Sequence, residues 1–219
     1  MTLAVWGGME TQALTFANSP FWPVAIGFFG LGVGYFIWGG QALFDFPKAI
    51  PEVNRTMGLW GFWMPGFMQF LTGIILIVGL TWFSVFASAP PLYMAGLAFT
   101  AFGIHWFAMA YRRYIGSSAQ PDGWMAIGFL FLSLLGTFVF LKAGDMPVMI
   151  IFVSLSLIYA TEIPTCLLGW ERGHRVVGLF QCLTGIWLMY CTYAATVNFF
   201  WAKRRGFKAG RLTMKVSQV

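Results

Sequence analysis

Glu162, in the stretch "YATEIPTC", is the acidic residue set well inside an apolar run; Glu10, Asp45, Glu52, Asp122, Asp145 and Glu171 fall in predicted loops or at the ends of runs. A carboxylate at bilayer depth costs roughly 2.5 to 3.5 kcal/mol even on lenient insertion scales, so it must face a partner or a wet cavity. Two chemistries fit: a protonated Glu bonded to a neighbouring helix, or a proton-sensitive group on a solute path. Pro164, two residues on, cannot donate to the Ala160 carbonyl, which predicts a kinked and locally polar segment. His105, in "FGIHWFAMAYRRY", is the histidine inside a run, because His174 sits at the mouth of the last one. One internal histidine cannot make a bis-histidine haem site, so it reads as a packing residue or a proton relay. Gln41, Gln69 and Gln181 complete the set of polar side chains at depth, with Trp38 one turn from Gln41 and Trp106 beside His105. No metal-ligand cluster, phosphate loop or nucleophile-base pair is present, so no metal, cofactor or enzymatic chemistry is expected. Neutral polar groups among Trp, Phe and Leu suit a narrow path for a small polar solute, with hydrogen bonds to replace part of its water shell and apolar walls to exclude ions.

Two of these glutamines sit in a repeat. Residues 66–74 read "GFMQFLTGI" and residues 178–186 read "GLFQCLTGI", 112 positions later. On a helix, Gly66, Gln69 and Gly73 share one stripe, as do Gly178, Gln181 and Gly185, with Thr72 and Thr184 alongside. Such a small-and-polar stripe is either a helix contact, where Gly allows close approach and Gln or Thr bonds across, or the edge of a pore.

The elements that must hold these residues follow from composition. Of 219 residues, 59% are hydrophobic and 9% charged, outside the balance of a soluble domain. Crossing roughly 30 Å of hydrocarbon takes about 20 residues of helix. Six continuous apolar runs meet that length, at 20–44, 57–83, 91–114, 123–142, 147–169 and 175–201. Because unpaired sheet edges are not tolerated in hydrocarbon, the chain reads as an all-α integral membrane protein with six transmembrane helices. Residues 1–19 lack a secretory signal's pattern and read as an interfacial segment, 20–202 as the membrane domain, and 203–219 as a basic tail. The repeat matches the second run with the sixth, which makes three helix hairpins the simplest organisation; "GFLFLSLLGT" at 128–137 is a degenerate middle copy.

The net charge of +6 is mostly that tail, whose partner is anionic lipid; nucleic acid is not needed to explain it. Lys48, Arg55, Arg112, Arg113, Arg172 and Arg175 lie on the loop side, Lys142 and the tail on the side of the termini. Early short-loop charge favours termini outside, and the tail favours the reverse. Cys166, Cys182 and Cys191 all fall inside runs and read as small buried hydrophobes.

At the level of whole segments, "IGFFGLGVGYFIWGGQALFDFPKA", "FMQFLTG" and "GLAFTAFGIHWFAMA" resemble the first three helices of the urea/amide channel family (AmiS/UreI type). The stretch "EIPTCLLGWERGHRVVGLFQCLTGI" is similar to that family's run from a fifth-helix Glu to a sixth-helix acid, with Glu162 at the first position and Gln181 at the second. The resemblance implies three hairpins per protomer, one pore in each, a ring homohexamer with termini outside, and a bacterial inner membrane. "NRTMGLWGFWMPGFMQFL" also resembles the Asn-Thr-Phe-Gly segment of the acetate uptake transporters (YaaH type). The expected function is therefore a channel or transporter for small polar solutes such as urea or short amides. The alternatives are uptake of acetate or another short monocarboxylate, and a structural subunit of a larger membrane complex whose polar stripes serve packing alone.

Overall fold

The computed structural model describes residues 23–82 and 91–204, all helix and connecting turns. The expected interfacial segment at 1–19 and most of the basic tail lie outside the described residues. The helices are α1 (Pro23–Phe44), α2 (Pro51–Gly61), a π-helical segment (Phe62–Phe67), α3 (Met68–Trp82), α4 (Pro91–Ile115), α5 (Asp122–Ala143), α6 (Met146–Leu167) and α7 (Gly173–Arg204). Six spans are long and apolar enough to cross a membrane, with α2, the π segment and α3 forming one 32-residue span from Pro51 to Trp82.

Span two thus begins about two turns before its apolar run. Pro51 occupies the first helical turn and Glu52 sits where the helix dipole favours an acid, so two polar turns join the helix without entering hydrocarbon. Within the span, Pro65 has no N–H to give to the helical ladder, and the backbone widens into a π turn around it. Gly116, Gly144 and Gly169 have φ of +75°, +72° and +66°, the left-handed conformation that lets a chain leave a helix without a Cβ clash. Immediately after Gly144, the Asp145 carboxylate caps α6 by accepting from the Val148 N–H at 3.2 Å. Pro164 lies in the last turn of α6.

Spans pack most closely as one with six, two with three, and four with five. Glycines make the first two contacts close. Gly32 faces Leu188 and Met189, whereas Gly96 faces Leu76 and Ile77; Gly39 faces Cys182, whereas Gly103 faces Phe70. In each case the partner on span six stands 112 positions after its counterpart on span two, so one packing arrangement is used twice. Gly73 lies against Thr100, Gly66 against Phe107, Gly178 against Gly39 and Ala42, and Gly185 against Phe36. Between spans four and five, Gly136 receives Phe152.

Candidate functional site

The odd spans α1, α4 and α6 turn one stripe each toward the middle of the bundle. Their buried residues fall into tiers: Val24, Ala95 and Val148; Phe28, Phe99 and Phe152; Leu31, Phe102 and Leu155; and Tyr35, Trp106 and Tyr159. Positions on α4 and α6 follow those on α1 by 71 and 124 residues throughout, so the helices stay in step over three turns. Within tiers, Phe28 and Phe99 have ring centroids 5.5 Å apart, and Tyr35 and Trp106 5.8 Å.

The first three tiers line a partly open apolar cavity of about 40 Å³, in the half of the bundle nearer Pro23. Its polar lining residue is Gln69, 1% exposed, whose Oε1 has no hydrogen-bond partner among the described residues. A cavity of that size has room for about one water, whose share of liquid volume is about 30 Å³. A solute of several heavy atoms does not fit that space unless the aromatic tiers separate.

The opposite half is polar. The Tyr159 hydroxyl is 3.2 Å from His105 Nδ1, while His105 Nε2 is buried with no hydrogen-bond partner among the described residues. The His105 ring stacks on Phe129 at 4.5 Å. Glu162 lies one turn beyond Tyr159, partly buried and within electrostatic reach of Tyr35, Tyr159, Asp122 and Arg112. It makes no hydrogen bond to a described residue. Trp106 meets Trp38 edge-on at 4.9 Å, and the Trp38 indole donates to the Met57 carbonyl at 3.0 Å.

Gln41 continues the α1 stripe to the loop end. Its Nε2 donates to the Pro47 carbonyl at 2.8 Å, and its Oε1 accepts from Arg113. Arg113 also donates from Nε and Nη2 to Asn54 Oδ1, at 3.2 and 3.1 Å, and its guanidinium lies 4.7 Å over the Trp38 ring.

The two repeated glutamines do not share a level. Gly30 of α1 lies against Met68, next to Gln69, whereas Gly39 of α1 lies against Gln181 itself. Nine residues of helix separate those levels, about 13 Å at 1.5 Å per residue. Gln69 faces the cavity, and Gln181 sits in the groove between α1 and α7, outside the cavity lining. The feature that distinguishes the copies is the π turn just before Met68; span six runs as unbroken α-helix. Thr72 and Thr184 are buried, and each donates to its own helix, to the Met68 carbonyl at 2.8 Å and the Phe180 carbonyl at 2.6 Å. Ser133 on α5 does likewise with Phe129 at 2.7 Å.

The structure thus brings Trp38, Gln41, His105, Trp106 and Glu162 into the polar half of the bundle and Gln69 into the apolar half. Sequence reasoning missed Tyr35, Tyr159, Asn54 and the role of Arg113, which it counted only as loop charge. It also missed Asp145, whose buried Oδ2 has no hydrogen-bond partner among the described residues; the Asp145-Met-Pro147 capping pattern was the available signal. Among the described residues no group of three His, Cys, Asp or Glu could hold a metal ion.

No protein-family model matches the chain, and no curated protein matches it. Among solved structures, its fold is similar to that of the bacterial acetate channel SatP, with a TM-score of 0.66 over 87% of this chain and 97% of that one, at 16% sequence identity.

Proposed function

We propose that the chain is a membrane channel or transporter for small polar solutes, and that its solute is a short monocarboxylate of the acetate class. The observation that carries this reading is the fold shared with an acetate channel over nearly its whole length. Supporting it is the sequence of environments along α1, α4 and α6. A polar half with Glu162, His105 and two tyrosines meets an apolar half with Gln69 as its hydrogen-bonding side chain, where an acid crosses more readily protonated than charged.

Urea and short amides, suggested by the resemblance to the urea/amide channels, would use the same architecture; the likeness to an acetate channel favours the carboxylate. The reading includes three hairpin units, for which the glycine contacts repeated between spans one and six and spans three and two give support. It also includes a homohexamer in the bacterial inner membrane. The apolar side chains exposed on α5, Phe131, Phe138 and Leu141, then face lipid or a neighbouring copy.

The test is flux. The purified protein in liposomes should take up labelled acetate above the protein-free background, faster with an inward proton gradient, while urea and acetamide enter at the background rate. Urea uptake without acetate uptake would restore the amide reading, and no flux of either would favour a structural subunit.

A further inference from the structure

We propose that Arg113 forms a carboxylate-receiving site at the loop end of the bundle, where a monocarboxylate anion binds before it enters the apolar path. The identity of the solute rests on the transport reading above; the site itself rests on how two adjacent arginines are held.

Arg112 is neutralised, with its Nε 2.7 Å from Asp122 Oδ2. Arg113 is not. Its contacts are Asn54 Oδ1, Gln41 Oε1, the Met57 sulfur at 3.5 Å and the face of Trp38, all without charge. The other acids of that half do not pair with it; Glu162 is within electrostatic reach of Arg112 and Asp122. Asp45 pairs with Lys48, whose hydrogen bond and charge hold its carboxyl below the usual range, and Glu52 and Glu171 are exposed. No described carboxylate pairs with Arg113, and its Nη1 makes no hydrogen bond to a described residue.

A partly buried guanidinium without a counter-charge is costly unless an anion completes it. The neutral acceptors fix the plane of the group while leaving its charge uncompensated. With Nε and Nη2 taken by Asn54 and Gln41, the N–H groups of Nη1 are left to give a charge-assisted hydrogen bond to a carboxylate oxygen. Neutral urea or acetamide would gain no ion pair there.

Position completes the argument. Trp38 and Gln41, which hold Arg113, are the last members of the α1 stripe that descends through Tyr35 and Leu31 to Phe28 at the cavity. An anion on Nη1 therefore stands at the loop end of the stripe that leads to the cavity.

Three variants test the site in phosphatidylcholine nanodiscs, with acetate Kd read by titration calorimetry and acetate KM read in liposomes. Arg113→Gln should raise both about tenfold, the loss of one charge-assisted contact, and Arg113→Lys should recover part of the loss. Asn54→Asp keeps the arginine but gives it an internal carboxylate; it should raise both values as Arg113→Gln does, and it remains informative if Arg113→Gln assembles poorly. Acetate flux with unchanged affinity and KM in both Arg113→Gln and Asn54→Asp would overturn the site and leave the transport reading standing. Acetate binding lost in those variants, in a protein that conducts no acetate, would support the site and fail the transport reading.

Discussion

Replacing Gln69 with Leu should make the protein more stable and less active. Gln69 is 1% exposed, lines a cavity otherwise built from apolar side chains, and leaves Oε1 without a described partner. An unsatisfied buried acceptor costs about 1 to 3 kcal/mol, and Leu fills a similar volume without that cost. Because a chain unfolded within a membrane also finds partners for its polar groups, the gain should sit near the low end, about 1 kcal/mol. A polar side chain retained at such a cost is expected to serve the solute. Loss of one hydrogen bond in the limiting step, about 1.4 kcal/mol, would slow acetate flux about tenfold. Thermal unfolding in detergent and acetate uptake in liposomes read the two effects on one preparation. A variant less stable than the parent, or one whose flux is unaltered, refutes the assignment: the first would make Gln69 a packing residue, and the second would take it off the path.

Phe99→Ala removes one ring from the tier with Phe28 and Phe152, so solute flux should rise and selectivity for acetate over larger monocarboxylates should fall, measured as paired uptake rates. Unchanged rates and selectivity would mean that this tier is not the barrier. At Asp145, burial pushes the carboxyl above its ordinary value, only partly opposed by the Val148 N–H. A folded-state value above the unfolded one favours the protonated acid in the fold, so the parent loses stability as pH rises from the unfolded value of 3.8 through the folded one. Asp145→Asn keeps the cap without titrating, and its advantage in unfolding temperature should grow from pH 4 to pH 8; a constant difference would contradict this.

The six spans were legible because apolar runs of membrane length have few other readings; the largest error at an end came where helix continues into polar sequence, at Pro51–Thr56, and the fifth run overshot α6 by two residues because Leu168 is apolar but lies past the helix end. The tiers of α1, α4 and α6 were present in the sequence as Phe28, Phe99 and Phe152 but could not be picked out. In a membrane protein, residues facing lipid are as apolar as those facing the core, so hydropathy does not separate Phe99 inside from Phe131 outside. Gln69 was findable because polar side chains stand out against that background. Its difference in level from Gln181 was not, since the spacing of 112 residues is kept along the chain while the slide along α1 is a matter of packing. Arg113 escaped notice because a cation at a helix end has a sufficient reason to be there in the dipole and the headgroups; only its neutral partners single it out.

The most direct test of the central claim is a side-by-side flux measurement on the purified, reconstituted protein, with labelled acetate, urea and acetamide at pH 7 and protein-free liposomes as background. The account predicts acetate uptake above background, accelerated by an inward proton gradient, with urea and acetamide at background. Urea or acetamide entering while acetate does not would contradict it.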